Sequence, residues 1–207
     1  MSDQPVPVRP GRKRSEESRL AILTAAFELA AELGYAGLTI EGIATRSGAG
    51  KQTIYRWWPS KADVLLDALA TKADLYVPVP DKETYAADLR EFLIASFALG
   101  RKQPVVDVLR ALMAQTQIDA EFGERFRVVF LQRRRNALSI ILNRAHARGE
   151  LPPDASPETI ADIVFGTIWY RLLATDRPLD EQLANELVTV VARPRPKPDS
   201  SSHGNLT

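Results

Sequence analysis

Lys51, Gln52, Thr53, Tyr55 and Arg56 place an ammonium, an amide, a hydroxyl, a phenol and a guanidinium within one short run of sequence. These are the donors and acceptors that nucleic-acid base edges and phosphates require. Ile54 and Trp58 are four residues apart and share one face of a helical turn. With that pair turned inward, Gln52, Thr53, Tyr55 and Arg56 spread over the outer faces, and Lys51 and Trp57 flank them. Upstream, Ile40, Ile43 and Ala44 can pack a second short helix across a turn containing Gly48. Two helices joined by so short a turn form a helix-turn-helix. Paired amphipathic helices also occur in proteins that touch no nucleic acid. Tyr55 and Trp57 beside cations favour a binding surface, because large exposed aromatics are unusual on inert ones.

Other chemistries find no residues to support them. The chain has no cysteine, so disulfides and thiolate metal sites are excluded. Its two histidines, His146 and His203, are far apart, and His146 sits between Arg144 and Arg148. There is no Ser-His-Asp set, metal-ligand cluster or glycine-rich phosphate loop, so no catalytic residue, metal or cofactor is expected. An enzyme using a cavity in the second half is the rival reading, with a small-molecule-binding helical protein beside it. A non-specific architectural DNA protein needs a broadly basic chain, whereas 27 basic residues here face 26 acidic ones. Any nucleic-acid contact must then be local. No run of about eighteen uncharged apolar residues occurs, so no membrane span is expected. The polar N-terminus does not read as a leader, and a soluble, cytoplasmic protein is expected.

Helices must position these groups. Leu20, Leu23, Phe27 and Ala30 recur at helical spacing, with a stop at Gly34, predicting a first helix over 16–33. Thr39 is the expected N-cap of a helix over 39–46, broken at Gly48. A third helix is expected over 50–58, ending at Pro59. Ser60 and Asp63 then resemble a capping box opening a fourth, over 61–76. Further helical patterns cover 82–100, 104–116, 120–148, 157–174 and 179–192, several opened by proline. No period-two alternation or hairpin signal occurs, so the fold class is all-α, about nine helices. The expected organisation is a flexible basic arm (1–14), a DNA-binding domain (15–62), a ligand-binding and dimerisation domain (63–192) and a disordered tail (193–207). Arg12, Lys13 and Arg14 in the arm can enter a minor groove, contact phosphate or simply stay solvated.

The runs Thr39-Ile40-Glu41-Gly42-Ile43-Ala44, Ser47-Gly48 and Lys51-Gln52-Thr53-Ile54-Tyr55-Arg56-Trp57-Trp58-Pro59-Ser60-Lys61 resemble the DNA-binding signature of the TetR family of bacterial transcriptional regulators. The motif-bearing likeness covers about residues 15–65; beyond it only the architecture matches. The resemblance implies that Thr39 meets a phosphate from the start of the second helix. It implies that Lys51, Gln52, Thr53 and Tyr55 meet DNA, that Trp57 touches the backbone and that Lys61 grips phosphate. Gly50 departs from the pattern, standing where many members have a polar N-cap. Glycine is only a few tenths of a kcal/mol worse there.

In the second half, Phe92, Met113, Phe130, Phe165 and Trp169 are residues that a core needs. The resemblance implies a cavity among them for an unknown small-molecule effector, and the aromatic-rich helices point to a hydrophobic one, so the core and cavity readings both stand. Arg133-Arg134-Arg135 is expected to be an exposed helix face. The last two helices carry Ile160, Val164 and Ile168 on one and Leu183, Leu187 and Val190 on the other. In the family the corresponding pair forms a homodimer interface, whose symmetry matches a palindromic operator. The resemblance as a whole implies a repressor of double-stranded DNA operators, released by its effector.

Overall fold

The computed structural model describes residues 10–152, 155–175 and 177–192, with side chains from residue 15 onward. It is all-α among the described residues: α1 (Pro10–Gly37), α2 (Ile40–Ser47), α3 (Lys51–Trp57), α4 (Lys61–Tyr76), α5 (Tyr85–Gly100), α6 (Gln103–Ile118), α7 (Ala120–Phe126), α8 (Arg133–Ala147), α9 (Pro157–Ala174) and α10 (Glu181–Val191). A π-helical segment, Arg127–Gln132, follows α7 and precedes α8 without a break in sequence, so nine separate helices result among the described residues. The expected tail and most of the expected arm lie outside the described residues. The first helix begins at Pro10, earlier than expected, because proline suits a first helical turn and the polar residues after it show no apolar period.

The chain divides into two compact units. The first comprises residues up to Val77 together with Ala98–Arg134, so it groups α1 to α4 with α6 and α7. Its centre is α1, which packs against α2, α4 and α6. Ser15–Gly37 is long and apolar enough to cross a membrane by length and composition once Glu28 and Glu32 are allowed within it. Its apolar positions Ile22, Leu23, Ala26 and Leu29 are instead buried in this unit's core. Helical geometry breaks at Gly34, whose φ of 70° favours glycine, and ends at Gly37. Phe122, Phe126 and Phe130 form a run of ring contacts at 6.4 and 5.6 Å along α7 and the π segment.

The three consecutive arginines divide their roles, correcting the expected exposed face. Arg133 pairs with Asp74, and Arg134 is buried, reaching the carbonyls of Ala73 and Val77 at the end of α4. Burial holds the Arg134 guanidinium below its ordinary pKa.

The second unit comprises Pro78–Phe97 and the chain from Arg135 onward. Its core takes Tyr85, Leu89, Phe92 and Phe97 from α5, Leu138 and Leu142 from α8, Ile160 and Val164 from α9, and Leu183 and Leu187 from α10. Arg90 binds Glu181 and Asn185, Arg135 binds Asp162 at 2.6 Å, and Glu150 accepts from the Tyr85 amide at 2.5 Å.

Candidate nucleic-acid interface

Thr39 caps α2 as its sequence suggests: its backbone is extended and Oγ1 accepts from the Gly42 amide at 3.0 Å. The Thr39 hydroxyl proton is left for an outside acceptor, beside the positive end of the α2 dipole. The turn after α2 is fixed by Gly48, whose φ of 69° is left-handed, and by Ser47 Oγ, which accepts from the Ala49 amide at 3.3 Å. Gly50 begins α3 with no side-chain cap, while its carbonyl accepts from Thr53 and Ile54 at 2.9 and 3.2 Å.

Ile54 is fully buried and Trp58 nearly so, at 0% and 5% exposure. That inward pair turns Lys51, Gln52, Tyr55 and Arg56 to solvent, with Thr53 half-buried. Tyr55 is 54% exposed despite its size. Trp57 is half-buried, standing edge-on to Trp58 at 5.4 Å, with the Arg56 guanidinium 5.5 Å above its ring. The exposed row of α3 thus joins two cations to an amide and a phenol on one short, anchored helix.

The anchoring uses partners that the sequence did not suggest. Trp58 Nε1 donates to Asp67 Oδ2 at 3.1 Å, and Arg19 donates to the same oxygen at 2.6 Å, tying the end of α3 to α4 and α1. Lys51 Nζ lies 2.9 Å from Glu41 Oε1. The bond from Lys51 holds the Glu41 carboxyl below its ordinary pKa and raises that of Lys51. Both groups are exposed, so a phosphate can displace this pair at little cost. None of these pairings has a local spacing signal.

Lys61 departs from its expected setting. It is half-buried, and Nζ donates to the carbonyls of Tyr35 at 2.9 Å and Leu38 at 2.8 Å while lying 4.6 Å from the Tyr35 ring centre. It therefore closes the carbonyl end of α1 and leaves one N–H for any phosphate. Ser60 and Asp63 form the expected cap: the Asp63 amide donates to Ser60 Oγ at 3.3 Å, and Ser60 Oγ donates to Asp63 Oδ2 at 2.6 Å. Asp63, buried, also accepts from Arg125 Nε of α7 at 2.6 Å.

The remaining candidate residues divide between the units. Met113 and Phe130 belong to the first; Phe92, Phe165 and Trp169 belong to the second. Phe92 and Phe130 are buried, and Met113, Phe165 and Trp169 are half-buried. In the second unit the Tyr85 hydroxyl and Arg144 Nε are buried and have no hydrogen-bond partner among the described residues, two polar atoms that apolar periodicity could not single out. Burial raises the Tyr85 phenol well above its ordinary pKa.

The residues assigned to a dimer surface need correction. Ile160, Val164, Leu183 and Leu187 are buried in the protomer's own core, and Ile168 is half-buried. Only Val190 of that set is open, at 68%. An apolar stripe marks the inward face of a packed helix before any outward one. On α9 and α10 the large apolar side chains open to solvent are Ile163, Tyr170, Leu173 and Val190.

Comparison with known proteins agrees with this geometry. Residues 22–68 match the model for bacterial regulatory proteins of the tetR family, and residues 79–191 match that for the tetracyclin repressor-like C-terminal domain. The chain is 33% identical over 180 residues to an uncharacterized HTH-type transcriptional regulator, YdeS, of Bacillus subtilis, covering 86% of this chain and 89% of that one. It is 28% identical over 193 residues to the DNA-binding transcriptional repressor TetR of Mycobacteroides abscessus, covering 87% and 97%. The crystal structure of the TetR family transcription regulator SCO0332 superposes with a TM-score of 0.75 at 32% identity, covering 84% of this chain and 95% of that one.

Proposed function

The chain belongs to the TetR family of bacterial regulatory proteins, and from that premise we propose that it is a cytoplasmic, non-enzymatic repressor which grips a palindromic operator as a homodimer and releases it when a small molecule binds. The observation that carries this reading is the outward row Lys51, Gln52, Tyr55 and Arg56 on a helix whose inward residues, Ile54 and Trp58, are buried. Base edges in a major groove accept such a helix, and bidentate amide and cation contacts there are worth about 1–3 kcal/mol of discrimination each. Thr39, Thr53, Trp57 and the remaining N–H of Lys61 supply backbone contacts that set the register.

Repression is supported by the relative from M. abscessus, whose name is that of a repressor. Residues 15–62 are the DNA-binding part and 63–192 the ligand-binding and dimerisation part in this reading. The dimer forms through the outward faces of α9 and α10, where Ile163, Tyr170, Leu173 and Val190 need cover, with Ile168 at its edge. The effector is a hydrophobic small molecule held among some of Phe92, Met113, Phe130, Phe165 and Trp169. An effector that favours one spacing of two DNA-binding heads shifts the population away from the operator-bound form.

The test couples two readouts. Apolar compounds are screened by thermal shift, and each stabilising compound is added to the protein on its operator in a gel shift. Release by a stabilising compound, lost in Trp169→Ala while DNA binding persists, is the expected result. If every stabilising compound leaves the protein on DNA, the release model fails.

A further inference from the structure

A cleft of about 390 Å³ opens in the first unit between α1, α4, the last turn of α5 and the start of α6, lined by Phe27, Lys72, Tyr76, Leu99, Lys102, Pro104 and Val105. It contains none of the residues to which an effector role was assigned above. Its walls are apolar except for two ammonium groups and one phenol. Lys72 Nζ lies 4.3 Å from the ring centre of Phe27, and Lys102 Nζ lies 4.5 Å from that of Tyr76. Among the described residues neither lysine has an ion-pair partner, although the first unit pairs Arg19, Arg46, Lys51, Arg125 and Arg133 with carboxylates. Two positive charges therefore face one cleft, held by ring faces that attract a cation without neutralising it. Lys102 is also the N-cap residue of α6, which has no side-chain cap, so the positive end of that helix dipole adds to the same wall.

We propose that this cleft is a binding site for a small anionic amphiphile, its carboxylate held between Lys72 and Lys102 and its apolar part lying on Phe27, Leu99 and Val105. The volume lies within the range of small-molecule sites, and a few charged groups in an apolar lining fix a ligand's orientation. An ammonium already resting on a ring needs only a short displacement to meet a carboxylate, and the resulting charge-assisted hydrogen bonds are stronger than neutral ones. The site bridges α1, which carries the helix-turn-helix, to α6, so its occupant stiffens the joint between them.

The test uses purified full-length protein without DNA, so its failure leaves the DNA-binding reading untouched. Octanoate, octanol and acetate are titrated by calorimetry and by thermal shift at constant ionic strength. Octanoate is expected to bind saturably, one per chain, raising the midpoint of unfolding with its concentration. Octanol, lacking the charge, and acetate, lacking the chain, should each bind at least about tenfold more weakly. Replacing Lys72 and Lys102 together with glutamine should lower octanoate affinity by at least about tenfold in a protein that stays folded, whereas Lys82→Gln, in the other unit, should leave octanoate affinity unchanged. Equal binding of octanol and octanoate, full affinity in the double variant, or no saturable binding at all would overturn the proposal.

Discussion

Asp63 Oδ1 accepts from Arg125 Nε at 2.6 Å across 62 positions of sequence, so the carboxylate that accepts from the Ser60 cap of α4, a few residues after α3, is held by a guanidinium from α7. The carboxylate is 5% exposed and the guanidinium 36%. Arg125→Met should lower unfolding free energy by about 1–3 kcal/mol, because it leaves a buried carboxylate with the Ser60 hydroxyl as its remaining side-chain partner. A double-mutant cycle with Asp63→Ala, read by urea denaturation, should give a favourable coupling energy. Strict additivity would show that the pair contributes nothing.

Lys61 and Lys51 should separate stability from DNA affinity. Lys61→Ala unsatisfies the Tyr35 and Leu38 carbonyls and should cost about 1–3 kcal/mol in denaturation. Lys51→Ala breaks only an exposed pair with Glu41 and should leave stability within about 1 kcal/mol of wild type. Equal stability of the two variants would contradict the assignment of Lys61 to the end of α1.

The outward and inward faces of the last two helices predict opposite outcomes for two glutamate substitutions. Tyr170→Glu, at a position 62% exposed, should leave a folded protomer that sediments as a monomer at micromolar concentration. Leu187→Glu, at 6% exposed, buries an unpaired carboxylate and should unfold the protomer itself. Circular dichroism beside sedimentation distinguishes them. A dimeric Tyr170→Glu protein would exclude this face from the interface.

Tyr85 predicts a substitution without penalty. Its ring is 1% exposed and its hydroxyl bonds to no group among the described residues, so Tyr85→Phe removes a buried polar atom and strands no partner there. The thermal midpoint should stay the same or rise. A marked fall would reveal a bound water or other partner on that oxygen.

The legible parts of this chain were those written in local spacing. Thr39, Gly48 and Ser60 stand at the helix ends where their side chains or conformational freedom place them, and Ile54 with Trp58 turned inward as their four-residue separation requires. The π segment was not legible, since one register shift leaves the apolar period of 120–148 nearly intact. Nor were the partners of Asp63 or Asp67, because an ion pair between distant residues has no sequence period. The stripe of α10 was visible, but periodicity names a buried face without saying whether a protomer's own core or a partner covers it. The core took Leu183 and Leu187, and Val190 was left to solvent.

The central claim is that the outward row of α3 reads a palindromic DNA sequence. Selection from a randomised duplex library with the purified protein tests it most directly, followed by anisotropy titrations of the enriched sequence at several salt concentrations. The account predicts one enriched sequence with two-fold symmetry, bound by two protomers. Gln52→Ala or Tyr55→Ala should lose affinity for it while remaining folded, and Lys51→Ala should also flatten the salt dependence by about one phosphate contact. No enriched sequence, or an unsymmetrical one bound equally well by all three variants, would contradict it.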